Sequence, residues 1–241
     1  MSVENGEWIL RGLNEDDPRC LLTPEALTAY IEEVGFLPLF ATAGIPDFSV
    51  EERTAVGGWW TEDPTRDPWL WRQVIAAEGR VAYGKFFAGK AGFISRAWFP
   101  YFVNARRDGY DFDARWEDGK ASFREKKIMD LFAAGEERFS TDTRLLAGFG
   151  KGGEKNFEGT VTSLQRQTYL VIRDFRCRLN RQGAPYGWPI AVYTAPESLW
   201  GYEDVTSAYV ESPAVSRDRI LRRAAALRSD AEPEKLRRLL G

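Results

Sequence analysis

The sequence predicts an α+β fold, and two features indicate it. A helix and a tight hairpin rich in aromatic residues are expected within residues 20–115, and three short helices followed by a two-stranded ribbon are expected within residues 122–194. Three helices with such a ribbon form a winged helix, which is a helix-turn-helix unit with a β-ribbon. The predicted divisions are a flexible acidic arm (1–19), an aromatic-rich helix and hairpin module (20–115), a winged-helix module (116–200) and a basic helical segment (201–241).

Composition limits the classes of function. The 241 residues are 44% hydrophobic and 14% aromatic, which is typical of a folded protein. No apolar run is long enough to cross a bilayer and the amino terminus lacks signal-peptide features, so we expect a cytoplasmic protein without a membrane partner. The absence of histidine excludes histidine-dependent triads and most zinc chemistry. Cys20 and Cys177 are interpreted as ordinary thiols, and no cofactor is predicted.

The first elements have clear boundaries. The acidic arm is expected to dock through Trp8 and Ile9, if it docks at all. Thr23 and Pro24 are the cap and first position of a helix that ends at Gly35.

Four tryptophans fall within thirteen residues. Trp59, Trp60, Trp69 and Trp71 could line a stacking pocket for a base or small molecule. The alternative is the aromatic core of a small module, which the usual burial of tryptophan favours.

A hairpin, a helix and an acidic stretch follow. Strands on either side of Ala88-Gly89-Lys90 predict a tight hairpin. Arg106 and Arg107 are expected in the last turn of a helix, either as partners of its dipole or as phosphate contacts. The acids within 108–118 miss the spacing of a calcium loop, so solvated acids are preferred and no metal site is predicted.

The predicted winged helix begins with a capping box formed by Ser122 and Glu125. A second helix starts near Ser140, and Asn156 caps the third, which is the candidate recognition helix. Its outward positions are expected to be Thr160, Ser163, Arg166 and Gln167. The run Gly148–Gly153 matches Gly-x-Gly-x-x-Gly but follows a helix instead of a strand, so we interpret it as a flexible link near phosphates.

Charge is distributed unevenly along the chain. Residues 143–182 hold eight Lys or Arg and three acids, a net charge of +5, whereas residues 1–78 have a net charge of −10, from five Arg and fifteen acids. Clustered cations favour a polyanionic partner, and DNA is the predicted partner, although a solvated basic face used for protein contacts is the alternative. The predicted DNA contacts are Arg144, Lys151, Lys155, Arg166, Gln167, Arg173, Arg176, Arg178 and Arg181.

Two runs carry a family resemblance. Residues 69–107, with Tyr83-Gly84-Lys85-Phe86-Phe87, and residues 148–193, with Tyr186-Gly187-Trp188, resemble the AlkZ-related proteins, a bacterial group named for its similarity to the AlkZ DNA glycosylases. The resemblance covers the chain from about residue 23. It implies winged-helix units that form a concave DNA-binding surface and a link to the repair of alkylated DNA.

The resemblance does not carry the glycosylases' catalytic residues over to this chain. Those enzymes position water with a Gln-x-Gln or Gln-x-Asp pair near the amino terminus, and the matching positions here are Pro38 and Phe40, which cannot orient water. Gln165 and Gln167 also form a Gln-x-Gln, but within the winged helix, where we interpret the match as coincidence.

Three hypotheses follow. The first is a winged-helix DNA-binding protein related to alkylation-repair glycosylases but without their glutamine pair. The second is an active glycosylase with a relocated catalytic group, for which Asp47 and Gln165 are candidates. The third is a protein-binding or small-molecule-binding module that uses the tryptophan-rich segment.

Overall fold

The structure is a computed structural model that describes residues 2–4 and 7–241, with side chains from residue 9 onward, and its fold is mixed α+β. The strands are β1 (Ser2–Glu4), β2 (Glu7–Ile9), β3 (Phe36–Pro38), β4 (Val81–Phe87), β5 (Lys90–Ser95), β6 (Arg138–Phe139), β7 (Val171–Leu179) and β8 (Pro185–Thr194). The helices are α1 (Pro24–Val34), α2 (Pro68–Glu78), α3 (Phe99–Arg107), α4 (Phe112–Glu117), α5 (Phe123–Met129), α6 (Ser140–Leu146), α7 (Phe157–Arg166), α8 (Pro196–Trp200), α9 (Tyr202–Val205), α10 (Pro213–Leu227) and α11 (Pro233–Leu240).

One antiparallel sheet of six strands organises the molecule, in the order β3-β5-β4-β7-β8-β6. The strands β3, β5 and β4 form an amino-terminal half, and β7, β8 and β6 form a second half. The halves meet between β4 and β7, where Tyr83 is paired with Ile172. The sheet therefore contains strands from both the 20–115 and the 116–200 range.

Local signals set several element boundaries as predicted, whereas Asn156, the predicted cap of α7, makes no side-chain capping hydrogen bond. The side chain of Thr23 accepts a hydrogen bond from the backbone N–H of Ala26 at 3.1 Å, and α1 ends at Gly35, whose φ is 97°. Ser122 and Glu125 form the predicted capping box at the start of α5. Between β4 and β5, Ala88 and Gly89 both have positive φ, as a tight hairpin turn requires.

Two groups of buried side chains form the interior. The first lies around the amino-terminal half of the sheet and takes in α1, α2 and α3, and it also contains Val205, Ile220, Ala224, Leu236 and Leu239 from beyond residue 200. The second is smaller and lies among α5, α7 and the base of the β7–β8 ribbon. Ile172 packs against both groups, so it contacts both cores beside the junction of the halves.

The helices after residue 200 cover the amino-terminal half. Buried Asn104 of α3 donates hydrogen bonds to Ala208 O (2.9 Å) and Ser216 Oγ (3.0 Å), and Arg223 of α10 donates to Val34 O (3.1 Å). Thus α10 and α11 pack into the first core, so the segment 201–241 is part of the same packed body.

The acidic segment 1–19 contains regular structure that the sequence analysis did not predict. Strands β1 and β2 pair antiparallel, and Leu13 forms a parallel bridge with Ala55. Backbone pairing of this kind satisfies N–H and C=O groups without buried side chains, which explains why hydrophobic periodicity does not predict it. The predicted docking residue Trp8 has its side chain outside the described residues. Of the described helices, none combines the length and apolar character that a membrane span requires.

Candidate nucleic-acid interface

The predicted recognition helix, α7, is mostly enclosed. Glu158 and Arg166 are its exposed residues, and Thr160, expected to face outward, is 6% exposed and donates to Asn156 O at 2.9 Å. The expectation for Thr160 is wrong because α7 packs between α5 and β4, which covers both of its flanks.

Gln167 is half-buried, and its side-chain amide is engaged within the protein. Its Nε2 donates to Glu125 Oε1 (2.9 Å) and to Ser163 Oγ (2.8 Å), so the amide N–H groups are engaged at the α5–α7 contact. Burial raises the pKa of Glu125, but hydrogen bonds from the backbone of Ser122, from Ser163, from Gln167 and from the Ser122 hydroxyl outweigh it and lower the pKa below its ordinary value. The predicted base-reading role of Gln167 would require this network to open.

Three arginines of the ribbon are neutralised within the chain. Arg176 pairs with Glu137 at 2.7 Å, Arg173 Nε lies 3.4 Å from the same carboxylate, and Arg178 pairs with Asp142. Arg173 also donates to the carbonyl of Ala76 at the end of α2, at 3.0 Å. Both acids, Glu137 and Asp142, lie outside residues 143–182. The net charge counted over that range therefore overstates the charge of this surface.

Five of the nine predicted contacts carry an uncompensated charge. Within residues 2–4 and 7–241 no carboxylate lies at ion-pairing distance from them. They are Arg144, Lys151, Lys155, Arg166 and Arg181. Free cations of this kind are the groups that phosphate contacts need.

The ribbon tip, residues 180–189, is exposed at every position. It presents Arg181 together with Tyr186 and Trp188, and the Trp188 side chain is 84% exposed. An indole ring this exposed is unusual because tryptophan normally buries most of its area. The tip therefore combines a free cation with a stacking surface.

The helix α6 continues this surface. Arg178 at the base of the tip donates to Thr141 Oγ1 at 2.6 Å, which attaches the ribbon to the start of α6. The helix has seven residues, roughly 10 Å at the α-helical rise of about 1.5 Å per residue. Exposed Leu145 and Leu146 and the free Arg144 therefore lie within about two turns of the ribbon.

A groove of about 750 Å³ opens along the exposed side of α7. Its opposite wall is made by α10 and α11, and α3 contributes Ala105 and Arg106. The groove is lined by four arginines and one acid. They are Arg106, Arg166, Arg217, Arg237 and Glu158.

Arg106 connects the walls of this groove. Its guanidinium donates to Arg166 O (3.1 Å) and Leu240 O (2.9 Å), the last residues of α7 and α11, and to Phe86 O (2.8 Å). Carbonyl oxygens at helix carboxyl ends carry partial negative charge, which explains how a cation is accommodated here without a carboxylate among the described residues. Burial, and then the charge of Arg166, lowers the pKa of Arg106. Arg107 is 1% exposed and pairs with Glu197, so it is not a surface group, whereas the half-buried Arg106 lines the groove.

The two candidate catalytic residues hold structural bonds. Gln165 is 0% exposed, and its Oε1 accepts from the Lys85 N–H at 2.7 Å, where the register of β4 shifts and the ladder leaves that group unpaired. Asp47 Oδ2 accepts from Arg53 (2.7 Å) and Arg228 (3.0 Å), which attaches its loop to the end of α10. Neither residue lines the groove.

The tryptophan-rich segment packs mainly inward. Trp59 and Trp71 are buried, whereas Trp60 is 46% exposed and Trp69 is half-buried. Phe40 packs against Trp59 and Trp69, with ring centroids 5.4 and 6.4 Å apart. Phe40 thus belongs to an aromatic cluster.

The acidic stretch 108–118 makes contacts within the protein. Asp111 accepts from the Tyr202 hydroxyl and Asp118 from the Tyr110 hydroxyl, both at 2.9 Å. Among the described residues, no group of three or more His, Cys, Asp or Glu is arranged to hold a metal ion.

Sequence reasoning missed the groove and the aromatic part of the ribbon tip. Arg217 and Arg237 lie more than 50 residues from Arg166 along the chain, and nothing in the local pattern indicates that they face it. Tyr186 and Trp188 did carry a signal, because residues two apart in a strand share one face.

Comparison with known proteins gives one match. A family model described as AlkZ related matches residues 21–241, which contain all eleven helices and the six-stranded sheet. Neither a curated protein nor a solved structure matches the chain. Because the family model covers nearly the whole chain, the protein belongs to the AlkZ-related family.

Proposed function

We propose that this protein is a winged-helix DNA-binding protein that contacts duplex or damaged DNA mainly through the ribbon tip and α6. The order α5, β6, α6, α7, β7, β8, with β6 and β7 both paired to β8, supports the winged-helix assignment. The family's relation to DNA repair glycosylases supports DNA as the partner.

The observation that carries the proposal is the exposed Trp188 in a ribbon tip that also presents Arg181, a cation without an acid partner among the described residues. Arg181 in the tip and Arg144 on α6 supply charge for phosphates, and the indole ring supplies a surface on which an unstacked base can lie. Such contacts bind DNA with little dependence on sequence.

The ribbon leads the contact because α7 is not free to enter a major groove. Only Glu158 and Arg166 of this helix are exposed, and α10 and α11 stand opposite its open side. A space of about 750 Å³ is far smaller than a duplex. We therefore assign the leading contacts to residues 180–189 instead of α7.

A binding measurement tests this assignment. Trp188→Ala should weaken affinity for a labelled 5′-hydroxyl duplex by about five- to 100-fold, the loss expected for one stacked base. Trp60→Ala removes an exposed tryptophan from the other module and serves as the matched control, with little expected change. Equal affinity of the Trp188 variant and the unchanged protein would refute the leading role of the tip.

We do not propose that this protein excises bases with a water-positioning glutamine pair as the glycosylases do. Pro38 lies in β3 and Phe40 in the aromatic cluster, and neither has a group that positions water. Purified protein incubated with alkylated duplex should therefore produce no abasic sites. Their appearance above a protein-free control would show that a different residue performs catalysis.

A further inference from the structure

The groove between α7 and the α10–α11 pair has the size of a small-molecule site. Its volume of about 750 Å³ falls in the range of about 300–1,000 Å³ that is common for ligand pockets. Residues from α3, α7, α10 and α11 line it, so it lies where both cores and the late helices meet. None of the ribbon-tip residues lines it, and it is therefore separate from the proposed DNA contact.

Two guanidinium groups in the groove have no anionic partner. Arg166 is exposed at the end of α7, and Arg217 donates to the carbonyl of Ala105 at 2.9 Å. In the described part of the chain neither lies at ion-pairing distance from a carboxylate, whereas Arg237 pairs with Glu234 on its own helix. Glu158 at the rim is 3.9 Å from Lys85. The groove thus has an excess of positive charge that a bound anion would offset.

The inner part of the groove adds to this excess. Arg106 is half-buried; three carbonyl oxygens and the Phe102 ring hold its guanidinium, and its Nε has no hydrogen-bond partner among the described residues. A partly desolvated cation that is held by carbonyl dipoles and a ring instead of a carboxylate stabilises an anion nearby, because charge interactions are less screened away from water. An anion bound between Arg166 and Arg217 would lie on this positively charged side.

The remaining lining is apolar. Ile220 is 3% exposed and lines the groove with Leu221 and Leu240. A ring or similar flat apolar body gains free energy against such a wall, while a polar anion without such a body does not. The site therefore favours a ligand that joins an anionic group to an apolar body.

We propose that this groove binds an organic phosphate of nucleotide size, with the phosphate between Arg166 and Arg217 and the ring against Ile220 and Leu221. A phosphomonoester, with a charge of about −1.5 to −2 near neutral pH, matches two free guanidinium groups better than a single carboxylate does. The same chemistry occurs in a free mononucleotide and at the phosphorylated end of a DNA strand. The proposal does not depend on DNA binding by the ribbon tip.

Calorimetric titration of the full chain tests the site. The probes are dAMP, deoxyadenosine, and one tetranucleotide with and without a 5′ phosphate. Binding of dAMP indicates a free nucleotide as ligand, and binding of only the phosphorylated tetranucleotide indicates a strand end. In either case loss of the phosphate should weaken binding by about tenfold or more, as for loss of a charge-assisted hydrogen bond.

Variants connect the binding to the groove. Arg166→Gln combined with Arg217→Gln should weaken binding by about tenfold or more, while the control Arg238→Gln, an exposed α11 arginine outside the lining, should change it less than about twofold. Trp188→Ala should leave it unchanged, which separates this site from the DNA contact. Absence of binding by both phosphorylated probes, equal binding of phosphate-free probes, or full affinity in the double variant would overturn the proposal.

Discussion

The two halves of the sheet show how one antiparallel ladder can serve two purposes. In the amino-terminal half, six of the seven residues of β4 are buried, because helices cover both faces. In the second half, β7 and β8 are covered near their junction with the first half, and the ladder continues into a tip that is exposed throughout. Coverage by other elements, and not strand pairing itself, decides which half is core and which is surface.

The largest expected contrast is in stability. Phe93 of β5 is 0% exposed, and Phe93→Ala should lower the free energy of unfolding by about 3–5 kcal/mol through lost burial and a cavity. Trp188→Ala should change it by less than about 0.5 kcal/mol, because the ring makes few contacts in the folded protein. Urea unfolding of both variants measures the difference. Similar losses would mean that the tip is packed and that the comparison of the halves fails.

Loss of the buried contacts of Arg107 should also lower the free energy of unfolding strongly. Arg107 of α3 is 1% exposed, pairs with Glu197 and donates to the carbonyl of Thr168 at 2.8 Å. Arg107→Ala should cost about 3–5 kcal/mol, because it leaves buried acceptors and a carboxylate without their partner. The matched change Arg124→Ala breaks an exposed pair with Glu154 and should cost about 1 kcal/mol or less. Equal losses of unfolding free energy in the two variants would contradict the expected contribution of the buried Arg107–Glu197 pair.

Within the second half, free and paired arginines should differ in DNA binding. Replacing Arg144 and Arg181 by Gln should reduce the slope of log affinity against log salt by about 1.8, since each phosphate contact contributes about 0.9. Replacing Arg176 and Arg178 by Gln removes the same number of charges but should reduce the slope less, because Glu137, Asp174 and Asp142 already compensate them. A larger decrease of the slope in the Arg176 and Arg178 variant would show that their ion pairs open when DNA binds.

The smallest expected effect is on pH dependence. The folded-state pKa of Glu125 lies below its unfolded-state value, so the charged form contributes stability that is fully present above the unfolded-state pKa. That contribution is lost as the pH falls through the lower folded-state pKa. The stability difference between the unchanged protein and Glu125→Gln should therefore shrink in acid, as urea unfolding at neutral and acidic pH can measure. A constant difference would show that the pKa is not lowered.

Local features of the fold were predictable from the sequence. Thr23, the capping box of Ser122 and Glu125, and the Ala88-Gly89 turn act on backbone groups within a few residues, so the pattern alone determines them. The three helices and the two-stranded ribbon within residues 122–194 follow for the same reason, whereas β6 was not predicted.

The site was predictable only in part, because it depends on contacts between distant segments. Glu137 and Asp142 neutralise ribbon arginines although they lie outside the basic range 143–182. The side chain of buried Gln165 accepts a hydrogen bond from the Lys85 N–H of β4, a contact between segments that are 80 residues apart. The exposed side of α7 becomes a groove because α10 and α11 return to the first core. No pattern within one element indicates which surface another element will cover.

Arg106 has a consequence for how any ligand enters the groove. Its one planar guanidinium donates to the terminal carbonyls of both α7 and α11, so a single rigid group sets the distance between the ends of these two helices. The groove is then preorganised, so little conformational entropy is lost when a ligand binds. Binding should therefore involve little induced fit. Affinity should depend mainly on how well the ligand matches the existing shape of the groove.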